Sequence, residues 1–322
     1  MITYSKFVAF IFLFALSSTP VIATGSPQCP AGTFIVPYPP GGPTDALGRL
    51  VAKELSETWA GNMVVINKPG AGTIIATNDI AKSPPNSCVI GIGGLMLITG
   101  PFAHSNLPYD ADKDLSLISL LATFPERIVV SNDFPAQDVK GLIEYAKENP
   151  GLVTYATSGM LGFAHLTGEY FADMAGIEMI HILYKGSSAA YPDVISGRVP
   201  VMIDSGPPIL ELIRTGKVRA LAIASAERDP LLPDVPTLRE SGIDIDVSVW
   251  LGLIANASVS DIFVQSLSAA VDEIMNKDNV KKQMAALGFT PGGGSPEEFR
   301  NLVESEKRLW RDLIERRDIK MN

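Results

Sequence analysis

The chain has 322 residues, of which 46% are hydrophobic and 19% are charged, an ordinary balance for a globular protein. The net charge is −9 and no basic run occurs, which argues against nucleic acid and anionic membranes as partners. The overall field also repels anions, so any anion site must depend on local dipoles.

Residues 1–23 have the three-part pattern of a secretory signal peptide. An apolar run over residues 7–16 follows Lys6, and residues 21–23 form a small-residue cleavage site. The alternative is a membrane anchor, but this run is shorter than the ~20 residues that a spanning helix needs. We therefore expect cleavage before Thr24 and export of the protein.

Short apolar runs alternate with helical patterns along the rest of the chain, which indicates βαβ units and mostly parallel sheets. The chain after residue 23 has 299 residues (322 minus 23), which reaches the ~250–300 residues at which a single hydrophobic core stops growing, so two lobes are expected. The first helix is predicted to begin with Thr44 or Asp45 as its N-cap, and Ser295 is predicted to cap the last one. The other predicted elements are strands Phe34–Val36, Met63–Ile66, Val89–Ile92, Arg127–Ser131, Val153–Thr157, Met179–Tyr184, Val201–Asp204 and Arg219–Ala224, and helices over Val139–Glu148 and from about Phe163.

Cys29 and Cys88 are the only cysteines. In an oxidising compartment a disulfide is the leading interpretation, and two unpaired thiols are the alternative. Cys29 lies seven residues before Val36, and Cys88 lies six before Gly94. If the strands there are neighbours, both cysteines lie at the same end of the sheet, so we predict a bridge.

The densest turn signal runs from Pro37 to Asp45, between the first strand and the first helix. Its prolines stiffen the loop, and Gly41 and Gly42 let the backbone approach a ligand closely. The helix N-terminus that follows favours a carboxylate or phosphate through its free N–H groups and its dipole. The segment is neither a P-loop nor a dinucleotide fingerprint, and a plain strand-to-helix turn is the alternative.

Segments 67–73 and 157–162 join two other strands to their helices in the same way. Ligands of open α/β sheets bind beyond the carboxyl ends of the strands, so the three turns together predict one anion held between two lobes. Asp204 ends a further buried strand at the same side. It is either a helix cap before Pro207 or a ligand group.

No catalytic or metal-binding constellation is recognisable in the sequence. His104, His165 and His181 are the only histidines, and none belongs to a His-Glu-x-x-His motif or a nucleophile elbow. We interpret His165 and His181 as structural residues. Neither cysteine has metal-ligand spacing, and the acidic residues are scattered on predicted helix surfaces. We predict no enzymatic activity, no cofactor and no metal.

These turns, taken in order, resemble the tripartite tricarboxylate transporter substrate-binding family, also called the Bug family of periplasmic receptors. The resemblance covers nearly the whole chain after residue 23. The segments that carry it are Pro37–Asp45, Asn67–Thr73, Tyr155–Gly159 with His165-Leu166, Tyr184–Gly186, Val201–Asp204, Val235–Thr237, Glu240–Gly242 and Trp250–Ala255.

The resemblance implies a type II periplasmic binding fold: two α/β lobes with mostly parallel sheets and an interlobe cleft. Lobe 1 is expected over residues 24–124 and 250–322 and lobe 2 over 125–249, with hinge crossovers near Phe124 and Trp250. Members bind small carboxylates and deliver them to a membrane permease. The implied protein is a monomeric periplasmic receptor whose partners are a carboxylate and a permease of the tripartite tricarboxylate type.

Carried over by position, the resemblance nominates ligand-binding residues in both lobes. They are Tyr38, Pro40, Gly41, Gly42, Thr44, Asp45, Ala71, Thr73, Thr157, Ser158, Gly159 and Asp204.

The chain departs from the family pattern beside this site. Leu95 and Met96 follow the third strand, and Met160 and Leu161 stand in the second-lobe turn, where many relatives have small or polar residues. If these side chains face the ligand, its body is less polar than citrate, as in an aromatic or branched-chain carboxylate. The alternative is that they turn into the cores of the lobes.

Three functions are compatible with these observations. The first is a transport receptor that closes on an organic acid, and the second is a sensor that presents the same closed form to a membrane histidine kinase. The third is an exported enzyme on an α/β scaffold, which the fold alone does not exclude. The lack of an acid–base or nucleophile cluster counts against the enzyme.

Overall fold

A computed structural model describes residues 29–59 and 61–320, so the predicted signal peptide lies outside the described residues. Within the described part, no helix is both long enough and apolar enough to cross a membrane. The strands are β1 (Ala31–Val36), β2 (Asn62–Asn67), β3 (Val89–Gly93), β4 (Leu115–Pro125), β5 (Arg127–Ser131), β6 (Thr154–Thr157), β7 (Ile180–Leu183), β8 (Val201–Asp204), β9 (Val218–Ile223), β10 (Ser248–Asn256) and β11 (Thr290–Gly293).

The helices alternate with these strands over most of the chain, as the sequence predicts. They are α1 (Pro43–Thr58), α2 (Ile74–Ala81), α3 (Met96–Ala103), α4 (Ala111–Asp114), α5 (Val139–Glu148), α6 (Phe163–Ala175), α7 (Ser187–Ile195), α8 (Pro207–Arg214), α9 (Asp261–Asn276), α10 (Asp278–Ala286) and α11 (Pro296–Arg316). A 3-10 turn at Ala71–Thr73 leads into α2. The last helix begins at the predicted signal, because Ser295 and Glu298 form a capping box.

The strands form two sheets, in spatial orders β11-β4-β10-β3-β1-β2 and β7-β6-β8-β5-β9. The predicted α/β class is confirmed, but the sheets are mixed rather than mostly parallel. β1 pairs in parallel with β2 and β3, and β6 with β7 and β8, whereas the other ladders are antiparallel. A right-handed helical crossover fixes strand direction only where it joins two strands of one sheet. β4, β5 and β10 lie at the passages between sheets, so the alternation of elements did not specify their direction.

The predicted disulfide is confirmed, with Cys29 bonded to Cys88 and their Cα atoms 5.9 Å apart. Cys29 precedes β1 and Cys88 precedes β3, and these two strands are parallel neighbours. The bridge therefore ties together the starting ends of two central strands of the first sheet. The bridged cysteines are 59 residues apart, and in the chain-entropy account a loop of this length contributes about 4 kcal/mol.

The chain passes between the two sheets at two adjacent places. Glu126 alone separates β4 of the first sheet from β5 of the second, and the chain returns from β9 to β10. The Ala224 N–H donates to the Glu126 carbonyl at 2.9 Å, and the Val247 N–H donates to the Ala224 carbonyl at 2.8 Å. The two passages therefore lie side by side.

Helix α11 contacts elements that belong to both sheets. It packs against β4 of the first sheet, against α3, which follows β3 of the same sheet, and against α6, which follows β6 of the second sheet. Arg316 forms an ion pair with Asp173 at 2.7 Å, and Arg317, just after the helix, pairs with Glu169 at 2.9 Å. The end of the chain thus connects the two halves of the molecule.

Candidate ligand-binding site

A cavity of about 180 Å³ lies where loops that follow strands of both sheets meet. Its walls carry aromatic and aliphatic side chains, several hydroxyl groups and glycine backbone, and none of its residues is basic or acidic. The lining residues are Tyr38, Thr44, Gly72, Thr73, Gly94, Leu95, Met96, Thr99, Phe124, Leu161, Gly162, Phe163, Val249, Trp250 and Leu251. A larger cavity, about 410 Å³, lies between α3 and α11, but it contains none of the predicted site residues.

Four helices begin at the wall of the smaller cavity, and none of them is capped by a side chain. Their N-cap residues are Gly42 of α1, Thr73 of α2, Leu95 of α3 and Gly162 of α6. Their first turns contain N–H groups without an intrahelical acceptor, fewest in α3, where the Leu97 and Ile98 N–H groups donate to the Gly94 and Leu95 carbonyls. Each dipole is positive at this end. Their convergence can hold an anion without any cationic side chain.

Several helices that begin elsewhere are capped in the ordinary way. Asp138 accepts the Gly141 N–H at the start of α5, and Ser260 accepts the Phe263 N–H at the start of α9. Side-chain caps are therefore absent at the helix starts of the cavity wall, although this chain uses them elsewhere. Donors left free at the cavity are available to a ligand.

The turn between β1 and α1 is held by the Asp45 carboxylate. This buried side chain accepts the Gly41 N–H at 2.9 Å, the Asn67 amide at 2.8 Å and Arg49 Nε at 3.0 Å. The Arg49 hydrogen bond is the largest of the effects that lower the pKa of Asp45 to about 2. Asp45 therefore stays ionised and shapes the turn.

The predicted N-cap of α1, Thr44 or Asp45, is wrong. The helix begins at Pro43 with Gly42 as its cap, because proline is suited to the first helical position. Asp45 then lies in the first turn, where its carboxylate reaches back to the loop.

The turn between β6 and α6 is held by neutral groups, of which only His181 is half-buried and the others are buried. The Thr157 hydroxyl is 2.6 Å from His181 Nε2, and the Leu161 N–H donates to His165 Nδ1 at 3.1 Å. The two imidazole rings stack with their centroids 4.0 Å apart. Burial, and secondly the charge of His181, lowers the pKa of His165 to about 3, and burial also lowers the pKa of His181.

Three of the nominated ligand residues, Tyr38, Thr44 and Thr73, line the cavity. Tyr38 is 41% exposed, and burial of part of its side chain raises the pKa of the phenol. The nine others lie in the surrounding turns or on β8. They are Pro40, Gly41, Gly42, Asp45, Ala71, Thr157, Ser158, Gly159 and Asp204.

Asp204 uses both carboxylate oxygens within its own half of the molecule. Oδ1 accepts Ser187 Oγ at 2.9 Å and the Gly206 N–H at 3.3 Å, and Oδ2 accepts the Tyr191 hydroxyl at 2.8 Å. Asp204 thus holds the loop before α8, whose N-cap is Gly206, but no side chain caps the first turn of this helix, so the predicted capping role is not observed.

Three of the four apolar side chains that depart from the family pattern line the cavity: Leu95, Met96 and Leu161. Met160 does not. Sequence reasoning missed the aromatic wall formed by Phe124, Phe163 and Trp250. The sequence marked Phe124 and Trp250 only as crossover positions, and no local signal showed that they line one cavity with Phe163.

Among the described residues, no group of three or more His, Cys, Asp or Glu side chains is placed to hold a metal ion. Tyr38 is the one cavity-lining residue with a titratable side chain. The cavity is therefore equipped for binding through backbone donors, hydroxyl groups and apolar contact.

Comparison with known sequences gives a consistent family. The TctC model, described as the tripartite tricarboxylate transporter family receptor, matches residues 47–319. BugT of Bordetella pertussis (strain Tohama I) is 31% identical over 300 residues, which cover 92% of each chain. The UPF0065 protein in the tcbD-tcbE intergenic region of Pseudomonas sp. (strain P51) is 35% identical over 88% of this chain and 84% of its own.

Solved structures agree with the sequence relatives. Rpa4515 of R. palustris, solved with adipate, has a TM-score of 0.77 and 31% identity, covering 88% of this chain and 96% of that one. MatC of Rhodopseudomonas palustris, with bound malate, has a TM-score of 0.71 and 27% identity over 88% and 98%. The periplasmic binding protein BugD has a TM-score of 0.73 and 29% identity over 91% and 99%. With this fold, this cavity and these relatives, the chain belongs to the tripartite tricarboxylate transporter receptor family, a family of periplasmic solute-binding proteins.

Proposed function

We propose that this protein is an exported, monomeric receptor that encloses a small carboxylate with an apolar body and delivers it to a membrane permease of the tripartite tricarboxylate type. The observation that carries this proposal is the convergence of four uncapped helix N-termini on a cavity with no charged lining residue. Helix N-termini favour a carboxylate, and the remaining walls favour hydrocarbon.

The relatives support the carboxylate class. Rpa4515 was solved with adipate and MatC with malate, both small dicarboxylates. The cavity of this chain, about 180 Å³, is smaller than the ~300–1,000 Å³ typical of drug-sized ligands. A compact metabolite suits that space.

The wall chemistry favours an apolar body. Leu95, Met96, Leu161 and Trp250 line the cavity, and a polar group on the body of the ligand, placed against them, would lose hydration without a donor in return. An apolar body would instead gain about 25 cal/mol for each Å² buried. Methionine adapts to irregular or ring-shaped ligands.

We propose that the two sheets are the cores of the two lobes, divided as residues 24–124 with 250–322 and residues 125–249. The adjacent passages at Glu126 and between β9 and β10 then act as the hinge. Closure would bring the turn that follows β1 against the turn that follows β6, and the permease would recognise the closed form.

Binding without catalysis is the proposed outcome, because nothing on the cavity wall is equipped for acid–base work. Asp45 and Asp204, the nearest nominated carboxylates, accept hydrogen bonds from neighbouring residues of their own lobes. Incubation with a bound acid followed by mass spectrometry of the solute should return the acid unchanged. Turnover would overturn the receptor function.

The binding experiment is titration calorimetry with adipate, benzoate, malate and citrate, and with benzamide as the uncharged match to benzoate. We expect adipate or benzoate to bind more tightly than malate and citrate, and benzamide to bind more weakly than benzoate. Tighter binding of citrate or malate would refute the apolar body, and equal binding of benzamide would refute the carboxylate.

A variant pair tests the location of the site. Thr44→Val removes a hydroxyl that lines the cavity, and we expect about tenfold weaker binding of the tightest acid. Thr58→Val makes the same change at the other end of α1, where the hydroxyl bonds only to the Glu54 carbonyl at 2.9 Å. Equal affinity of both variants would place the ligand elsewhere.

A further inference from the structure

Two stacked histidines, buried His165 and half-buried His181, lie beneath the second-lobe turn of the cleft. His165 belongs to α6 and is 3% exposed, and His181 belongs to the neighbouring strand β7. Their rings are nearly parallel, with an interplanar angle of 22° and a centroid separation of 4.0 Å. Stacked imidazoles pack well, but packing alone does not require two polar rings.

Each ring bonds to one end of the same turn. His181 Nε2 is 2.6 Å from the Thr157 hydroxyl, at the end of β6, and His165 Nδ1 accepts the Leu161 N–H at 3.1 Å. Because Nδ1 of His165 is an acceptor here, its neutral ring carries the proton on Nε2. The pair therefore spans the turn from its first residue to its last but one.

The conformation of that turn needs support. Leu161 has a backbone φ of +55°, in the left-handed region that residues other than glycine seldom adopt. Gly162 follows with an extended backbone (φ −83°, ψ 168°) and begins α6 without a side-chain cap. Leu161 and Gly162 both line the cavity, so the strained position decides where an apolar side chain and the free N–H groups of α6 point.

Three further polar side chains, from β6, α6 and the segment after α11, lie near the pair. Glu169 of α6 accepts the Tyr155 hydroxyl of β6 at 2.6 Å and pairs with Arg317 after α11 at 2.9 Å. Glu169 Oε1 lies 3.9 Å from His165 Nε2. Burial nevertheless keeps both rings neutral by lowering their pKa values. Protonation would place a hydrogen on His165 Nδ1, facing the Leu161 N–H, and remove that hydrogen bond.

We propose that the stacked pair His165 and His181 positions the second-lobe half of the ligand site. By holding Thr157 and Leu161, the pair fixes the direction of the Leu161 side chain and the aim of the free N–H groups of α6. This inference rests on the proposed function, because it assigns the pair to the same cleft. The pair acts through the turn and does not touch the ligand.

The test compares His165→Leu, His165→Asn and, as a matched control at the residue that follows α3, His104→Asn. Asparagine keeps an acceptor oxygen close to the place of Nδ1, whereas leucine removes it. Measurements are amide exchange of Leu161 without ligand, affinity for adipate, the Tm, and nitrogen chemical shifts of the wild-type imidazoles at about pH 7.

We expect wild-type His165 to carry its proton on Nε2. We expect His165→Leu to show about tenfold faster exchange at Leu161 and about tenfold weaker adipate binding. His165→Asn should recover most of both, and His104→Asn should change neither. A general packing role would lower the Tm without this selective effect on Leu161 and without rescue by asparagine.

Two results would overturn the proposal. One is a wild-type His165 with its proton on Nδ1, and the other is an asparagine variant no better than leucine at Leu161. Both measurements are made without ligand, and the imidazole shifts need only the wild type, so these shifts decide the matter even if His165→Leu does not fold. If the wild type binds no carboxylate, the proposed function fails, while Leu161 exchange still decides whether the pair holds the turn.

Discussion

The two turns that face each other across the cleft end in the same backbone geometry and are held by opposite chemistry. Gly42 (φ −83°, ψ 169°) and Gly162 (φ −83°, ψ 168°) each begin a helix without a side-chain cap. The first turn is held by an ionised carboxylate, Asp45, with a partly exposed arginine beside it. The second is held by two neutral imidazoles, buried His165 and half-buried His181.

Both turns leave the N-terminus of a helix without a side-chain cap, and different side chains hold the two turns in the same geometry. A carboxylate in the first turn would repel an anionic ligand if it faced the cavity, but Asp45 accepts three hydrogen bonds from its own lobe. Neutral imidazoles avoid that conflict in the second turn. The two supports should therefore fail under different conditions.

The largest effect is expected from removing the support of the first turn. Asp45→Ala deletes the acceptor of three hydrogen bonds. The Gly41 N–H and Arg49 Nε lose their acceptor, whereas the Asn67 amide keeps its bond to the Tyr38 carbonyl. The variant should therefore lower the unfolding free energy by about 2–4 kcal/mol. Denaturant unfolding measures this. Glu57→Gln, on the exposed side of the same helix, should change stability by less than about 0.5 kcal/mol. Similar losses in both variants would show that Asp45 is not special.

Acid should weaken the second turn before the first. The folded pKa of His165 is lowered to about 3 from an ordinary value of about 6.5, so the unfolded chain binds more protons below pH ~6.5 and stability falls there. The folded pKa of Asp45, about 2, lies below its ordinary value, so its contribution is lost only as the pH falls below ~4.

Two buried carboxyls oppose this trend in the whole protein. Burial raises the pKa of Glu126 to about 8 and that of Glu306 to about 7, so each adds stability as the pH falls. The informative quantity is therefore the unfolding free energy of the wild type minus that of His165→Asn. The contributions of the two carboxyls are the same in both proteins and cancel in this difference. That difference should drop by about 2 kcal/mol between about pH 7 and pH 5. A flat difference would mean that His165 is not buried and neutral.

A matched pair of glycine variants compares the two turns at the ligand. A Cβ added at Gly42 meets nothing within 4 Å, and at Gly162 only the Gly159 carbonyl at 3.8 Å, so alanine fits both sites. Each variant should keep its fold and bind the preferred acid about tenfold more weakly, a loss of about 1.4 kcal/mol. Loss in one variant alone would assign the close backbone approach to one lobe. Unchanged affinity in both variants would show that the ligand does not approach the backbone closely in either turn.

The smallest expected effect is a change in tryptophan fluorescence, which reports whether the two lobes close at the cavity wall when ligand binds. Trp250 lines the cavity, and its ring lies 6.1 Å from that of Phe163 at the start of α6. Ligand binding should change the tryptophan emission, and Trp250→Phe should abolish the change. Trp59→Phe, whose ring packs on Phe263 at 5.2 Å, should retain it. A ligand response that survives Trp250→Phe would argue against closure at this wall.

The sequence predicted most local elements because their signals are local. Arg127–Ser131, Val139–Glu148 and Val201–Asp204 have the predicted bounds, and the Ser295 cap is where its motif placed it. Apolar periodicity and capping chemistry act within a few residues, so one strand or helix can be identified without its neighbours. The disulfide followed from the compartment and the spacing of two cysteines.

By itself, the sequence determined the α/β class, the order of turns and the family to which those turns belong. Only the tertiary structure decided which side chains reach the cavity. Asp45 is engaged by Asn67, 22 residues away, and Thr157 by His181, 24 residues away, and such contacts turn a polar side chain toward its own lobe. Phe124, Phe163 and Trp250 form one wall although they are distant in the chain. Side-chain direction depends on partners that are distant in sequence, so no local pattern could have assigned it.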